Sequence, residues 1–252
     1  MRFLILFLFS IFFISPSNGE NATSSKGIIA TSNPHASKAA HEIIKKGGNA
    51  IDAAVAVQLV LTLTEPQATG IGGGAFMLYW DAKKSKLFAI DGREKAPSKA
   101  KEDLFLNKDG NKIKFYPDAV VGAKSVGVPG IIKLLEDTHK KFGKLAWNDL
   151  FGYAIELSEN GFSVSPALHN TLGYLSYLKT IEPAGSLYYK KNSDGEKIPV
   201  PIGHILKNKE YAETLRRISL FGSQDFYEGK TAQLIINALK EADKNSFMSL
   251  DD

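Results

Sequence analysis

Residues 50–62 (AIDAAVAVQLVLT) limit the possible folds more than any other stretch of this chain. Asn49 supplies a capping side chain, and the residues after it have helical spacing with apolar groups on nearly every side: Ala53, Ala54, Val55, Ala56, Val57, Leu59, Val60 and Leu61. A helix without a polar face must be covered all round, and its small residues let neighbours approach closely. The segment before it reads as an ordinary amphipathic partner. Ser32-Asn33-Pro34 starts a helix that runs to Lys46, with Ala36, Ala39, Ala40, Ile43 and Ile44 as its apolar stripe. Gly47-Gly48 stops that helix, and Glu65-Pro66 ends the buried one.

A glycine-rich loop follows, Glu65 to Phe76 (EPQATGIGGGAF), and then Asp91 to Pro97 (DGREKAP). Three successive glycines strip side chains from the loop, so other backbone or a ligand can come very near. Strands are expected at Ala75–Trp80 and Lys86–Asp91, joined as a hairpin through Asp81-Ala82-Lys83-Lys84-Ser85. Gly70, Gly72 and Ala75 match the spacing G-x-G-x-x-G/A. A dinucleotide site needs a strand before that loop and a helix after it, whereas here the order is reversed. The loop reads instead as backbone crossing under or beside a substrate pocket, or as a structural tight turn. Arg93, placed where the second strand runs out, offers a planar fork of donors suited to a carboxylate. The competing reading is a surface ion pair with Glu94 or Asp91, worth little energetically.

Further along, helices are expected at Ile131–Lys141, Trp147–Asn160, from Pro166 onward, at Tyr211–Leu220 and at Thr231–Ala242; residues 185–201 are turn-rich. A short apolar run at Gly27–Thr31 suits a buried strand. Strands are few for a self-contained α/β domain, which suggests that part of the sheet lies outside this chain.

The 252 residues carry a formal net charge of +4, spread over separate doublets: Lys45-Lys46, Lys83-Lys84, Lys140-Lys141, Lys190-Lys191 and Arg216-Arg217. That dispersal argues against a nucleic-acid surface and for solvated faces. With no cysteine, disulfides, thiolate metal sites and a cysteine nucleophile are excluded. The five histidines are scattered and form no metal-ligating pair, so no metal is expected. Arg2 followed by the apolar run Phe3–Ile14 and small residues to Gly19 reads as a cleaved export signal over residues 1–19. The run is too short to cross a bilayer, so no stable membrane span is expected after its removal. No Gly-x-Ser-x-Gly elbow is present, adjacent carboxylates such as Glu136-Asp137 need no special role, and no catalytic residue can be assigned.

Taken together, these segments resemble the γ-glutamyltranspeptidases, or glutathione hydrolases. The likeness is carried by residues 27–56 (GIIATSNPHASKAAHEIIKKGGNAIDAAVA), by the GIGGG core of residues 65–76 and by DGREKAP. It continues through residues 125–133 (SVGVPGIIK), 147–162 (WNDLFGYAIELSENGF) and 225–229 (DFYEG). The resemblance implies an α/β fold, an incomplete four-layer αββα sandwich of the N-terminal-nucleophile hydrolase type. It implies an exported precursor, periplasmic or secreted, that cuts itself into a large and a small subunit. The threonine exposed by the cut attacks a γ-glutamyl amide, glutathione being the usual donor, and passes the acyl group to water or to an amine. No cofactor is implied, since a terminal amine and a hydroxyl suffice. Arg93, in DGRE, matches the family arginine that binds the α-carboxylate of the γ-glutamyl group.

One departure stands out. The chain has no Thr-Thr-His segment, the family's self-cleavage mark. Residues 20–252 therefore resemble the amino-terminal part of a large subunit, with the nucleophile and the small subunit expected elsewhere. Two rivals follow: a related acylase of the same superfamily, or a non-catalytic remnant or substrate-binding subunit.

Overall fold

The computed structural model describes residues 27–243 and 246–252; the export signal expected over residues 1–19 lies outside them. Asn33 accepts a hydrogen bond from His35 N and opens α1 (Pro34–Lys45). Asn49 opens α2 (Ala50–Thr64) with a reciprocal capping box, its side chain taking Asp52 N while Asp52 takes Asn49 N. As its composition requires, α2 is buried on several sides, with Val55, Leu59 and Val60 fully enclosed. Each such side chain contributes about 1.5–3 kcal/mol by leaving water.

Strands β1 (Ala75–Asp81) and β2 (Lys86–Gly92) form the expected antiparallel hairpin, pairing Ala75 with Gly92 and Tyr79 with Phe88. Alternation puts Met77, Tyr79, Phe88 and Ile90 on the inner face, where Met77 and Ile90 meet the core. Phe142, the last residue of α3 (Ile131–Phe142), lies 4.8 Å from both the Tyr79 and Phe88 rings. The opposite face carries Phe76, Leu78, Trp80 and Leu87, each more than half exposed.

The remaining elements are α4 (Gly152–Asn160), β3 (Phe162–Ser163), α5 (Pro166–Tyr174), α6 (Ala184–Leu187), β4 (Tyr189–Lys191), β5 (Lys197–Pro199), β6 (Ile205–Leu206), α7 (Lys209–Phe221), α8 (Ser223–Tyr227) and α9 (Lys230–Ala242). Phe151, Phe162, Leu215, Ile218 and Phe226 bring this half into the core that surrounds α2. The architecture is mixed α/β, and the strands among the described residues form three separate pairs: β1–β2, β3–β6 and β4–β5.

Two local expectations need correction and a third gains detail. Residues 27–30, which fall outside the compact unit of residues 31–252, carry no regular structure, and Thr31 is not a strand residue. An apolar run becomes a strand only with a hydrogen-bonded neighbour, and none pairs with it among the described residues. The helix expected over 147–160 is two pieces, a 3₁₀ turn at Trp147–Leu150 and then α4, separated by the fully buried Phe151. Finally, the turn-rich stretch 185–201 contains the β4–β5 hairpin, with Tyr189 opposite Pro199.

Candidate functional site

Glu65, just past the last turn of α2, holds the start of the glycine loop. Its carboxylate accepts from Asn33 Nδ2 at 2.7 Å and from Gln67 Nε2 at 2.6 Å. Its carbonyl accepts from the N–H groups of Ala68 and Thr69, both at 3.0 Å. From there the loop runs back to the base of the hairpin, where side chains would not fit. A Cβ on Gly74 would lie 2.5 Å from the Gly92 oxygen and 2.8 Å from Glu94 N. The helix-loop-strand order around it is the reverse of a dinucleotide site, as the sequence indicated.

On the other side of Gly92-Arg93 sits the amino end of α3. Gly130 is its N-cap, and a Cβ there would overlap the Gly92 carbonyl, 2.8 Å from its carbon and 3.1 Å from the Arg93 oxygen. The N-cap therefore has no side chain to offer the free N–H groups that every helix start leaves. Two distant groups cap it instead. The Gly73 carbonyl accepts from Gly130 N at 3.0 Å and Ile131 N at 3.1 Å, and the Tyr227 hydroxyl accepts from Lys133 N at 3.4 Å. Lys95 and Val128 exchange backbone hydrogen bonds at 2.8 and 3.3 Å and close the frame.

Arg93 is thus presented on backbone clamped from two sides. Its own N–H donates to Asp91 Oδ1 at 2.9 Å. The side chain is 67% exposed, and its ion contact is Nε to Glu94 Oε2 at 3.3 Å. This is the surface ion pair that the sequence also allowed, and it engages only one edge of the guanidinium. The two terminal nitrogens make no hydrogen bond or ion pair to any described residue, so a bidentate face stays open.

Two clefts meet at Arg93. The larger, about 790 Å³, lies between the end of β2, α3 and α8; Lys133, Lys140, Glu136, Asp137 and Glu228 give its wall mixed charge. The smaller, about 480 Å³, is lined by Gly72, Arg93, Glu94, Lys95, Ala96 and residues 125–127. Its walls carry two cations and one carboxylate, together with backbone from the glycine loop and the Ser125–Gly127 segment. A small anion would be favoured in the smaller cleft by that balance.

Several polar groups that sequence reasoning left without a role turn out to tie elements together. Asp52, fully buried, accepts from Asn49 N at 2.8 Å, from Lys144 N at 3.0 Å and from Leu145 N at 3.3 Å, joining α2 to the loop after α3. Asp225 accepts from Thr231 Oγ1 and lies 3.4 Å from Arg217 Nε, so the acid of DFYEG is spent on packing α8 against α7 and α9. The basic doublets are dispersed, and Lys84, Lys140, Arg216 and Arg217 have acidic partners. Among the described residues no cluster of three or more metal-ligating side chains occurs, and no helix is long and apolar enough to cross a membrane.

Comparison with known proteins places the chain. Residues 36–252 match the family described as gamma-glutamyltranspeptidase. The glutathione hydrolase proenzyme of Bacillus subtilis is 37% identical over 215 residues, which are 85% of this chain and 36% of that protein. Among solved structures, the gamma-glutamyltranspeptidase of Helicobacter pylori superposes with a TM-score of 0.84 at 32% identity, covering 92% of this chain and 64% of that one. The gamma-glutamyltranspeptidase of Pseudomonas nitroreducens, solved in complex with L-DON, gives 0.79 at 35% identity and covers 91% and 64%. The chain therefore spans little more than a third of the curated relatives it matches.

Proposed function

Since this chain belongs to the gamma-glutamyltranspeptidase family, we propose that it is the amino-terminal part of an exported γ-glutamyl hydrolase/transferase precursor in which Arg93 grips the substrate's α-carboxylate. The observation that carries this reading is the open face of the Arg93 guanidinium, on backbone pinned between Gly74 and Gly130. Rigid presentation matters because a bidentate grip at one end of glutamate sets where the γ-carbonyl, at the other end, lies relative to an attacking hydroxyl.

The chemistry follows from the family. A threonine hydroxyl supplied by the rest of the precursor attacks the γ-carbonyl of glutathione or another γ-glutamyl amide, and the amine leaves with a proton. Water or an acceptor amine then takes the glutamyl group from the acyl-enzyme, restoring the hydroxyl. The role of this chain is to bind and orient the donor.

The same reading assigns residues 1–19 as the export signal, residues 20–252 as large-subunit sequence, and the periplasm or outside of the cell as the destination. It also assigns the missing layers of an αββα sandwich to sequence beyond this chain. The exposed outer face of β1–β2 supports that last point: Phe76, Leu78, Trp80 and Leu87 form an apolar surface of the kind that a second sheet covers.

Two measurements test the proposal. The isolated polypeptide is expected to release no p-nitroaniline from a γ-glutamyl anilide, and turnover by it would refute the division of labour. In the processed two-subunit protein, Arg93→Gln is expected to lower kcat/KM for that donor about 30- to 1,000-fold, a loss of about 2–4 kcal/mol of transition-state binding. Unchanged kinetics would remove Arg93 from the site.

A further inference from the structure

The geometry points to Tyr227 as a positioning residue for Arg93, acting through the amino end of α3. This rests on the reading of Arg93 as the carboxylate clamp. The Tyr227 hydroxyl donates to the Pro129 carbonyl at 2.8 Å and accepts from Lys133 N at 3.4 Å, so one oxygen spans the Pro129-Gly130 turn and the first turn of α3. Gly130 in turn lies directly against the Gly92 carbonyl and the Arg93 oxygen, with no side chain between. Displacing Pro129-Gly130 therefore displaces the backbone that carries Arg93.

Tyr227 is itself firmly held. It ends α8, whose other residues are fixed by the Phe226 side chain in the core, by Asp225 with Thr231, and by Ser223 with Glu136. The ring also borders the larger cleft at Arg93. Burial keeps the phenol protonated well above neutral pH, so its donor proton is present at any pH at which the protein works. The DFYEG segment, otherwise a packing motif, thus reaches the clamp from 134 residues away in sequence.

The test is calorimetric titration of the processed two-subunit protein with L-glutamate and with 4-aminobutanoate, which is glutamate without its α-carboxylate. Tyr227→Phe deletes one oxygen and keeps the ring. It is expected to weaken L-glutamate about 3–10-fold and leave 4-aminobutanoate unaltered. In an Arg93→Gln background the Tyr227→Phe change is expected to cost L-glutamate nothing further, because the effect passes through Arg93. Gly130→Ala, which pushes on the same contact from another side, is expected to show the same selectivity and serves if the phenylalanine variant is poorly folded. Equal weakening of both ligands, an undiminished loss in the Arg93→Gln background, or no loss at all would each overturn the positioning role. If Arg93→Gln alone leaves L-glutamate binding intact, the clamp reading fails first, and the two failures are told apart by that single variant.

Discussion

Ser223 gives both its backbone N–H and its hydroxyl to the carboxylate of Glu136, at 3.1 and 2.7 Å. This links α3 to α8 beside the larger cleft. The neighbouring Gly222, at φ +66° and ψ −154°, sits in a backbone conformation that only glycine adopts without strain, and a Cβ there would also crowd Glu136 Oε1. Burial works against the charge on Glu136, but the hydrogen bonds from Lys140 and Ser223 outweigh it and hold the carboxyl below its ordinary value. A depressed carboxylate stabilises the fold above the unfolded pKa of about 4.3, and that stability is lost as the pH falls through the lower folded value. Urea midpoints are expected to drop between about pH 5 and 3, and Glu136→Gln is expected to flatten that drop while costing about 1–3 kcal/mol at neutral pH. An identical acid profile in the variant would assign the loss to other carboxylates.

The glycines of the loop are not equivalent. A Cβ on Gly72 meets nothing within 4 Å, whereas one on Gly74 would meet the Gly92 oxygen and Glu94. Gly72→Ala is expected to leave the melting temperature within a degree or two, since surface changes of this kind cost less than about 0.5 kcal/mol. Gly74→Ala is expected to cost about 1–3 kcal/mol through forced backbone shifts. Equal thermal melts for the two would show that the hairpin base is looser than this packing implies.

Asp52 offers a different kind of check, because its oxygens accept and never donate. Asp52→Asn keeps one acceptor, best placed at Oδ2 for Asn49, Lys144 and Leu145, and puts a donor at Oδ1 against Lys144 N and His139 Nε2. Leaving such buried donors unmatched costs about 2–4 kcal/mol in total. The expected readout is a lowered denaturant midpoint with unchanged slope, and a shift below 0.5 kcal/mol would mean that water reaches the pocket.

Arg93→Lys separates charge from geometry at the clamp. Lysine keeps the positive charge but has no planar fork, so it cannot make two parallel bonds to one carboxylate. Donor kcat/KM is expected to fall between that of the native protein and of Arg93→Gln, with KM carrying most of the change. Full activity for the lysine variant would reduce the requirement to charge alone.

Much of the fold was legible because its signals are local. Asn33 and Asn49 announced their helices through capping chemistry, and two apolar runs either side of the polar turn Asp81–Ser85 announced the hairpin, whereas which of its faces is buried was visible only in the structure. Arg93 and the glycines were visible as residue types, and their family context supplied the expected role. What the sequence concealed is long-range. Nothing near Tyr227 says that its hydroxyl caps a helix 94 residues earlier, and nothing near Gly130 says that Gly92 fills the space of its side chain. The apolar run Gly27–Thr31 is not a strand for the related reason that a strand is a property of two segments, and none of the described residues pairs with it.

The outer face of β1–β2 yields the last prediction. Trp80 and Trp147 are the only tryptophans; Trp80 is 57% exposed on that face, while Trp147 donates its indole N–H to the Ile218 carbonyl inside the chain. In a Trp147→Phe variant of this chain, mixed with a remainder of the precursor whose tryptophans are replaced by phenylalanine, emission therefore reports the hairpin face alone. If a second sheet covers this face in the assembled protein, adding the remainder of the precursor will bury Trp80 beside Phe76 and Leu78. Its emission is then expected to shift to the blue and resist acrylamide quenching. Leu78→Lys, which places a charge in the centre of the same face, is expected to prevent both changes, because an unpaired ammonium is not accommodated in an apolar contact. Emission that stays red and quenchable after assembly would show that this face remains in water and that the apolar residues serve some other contact.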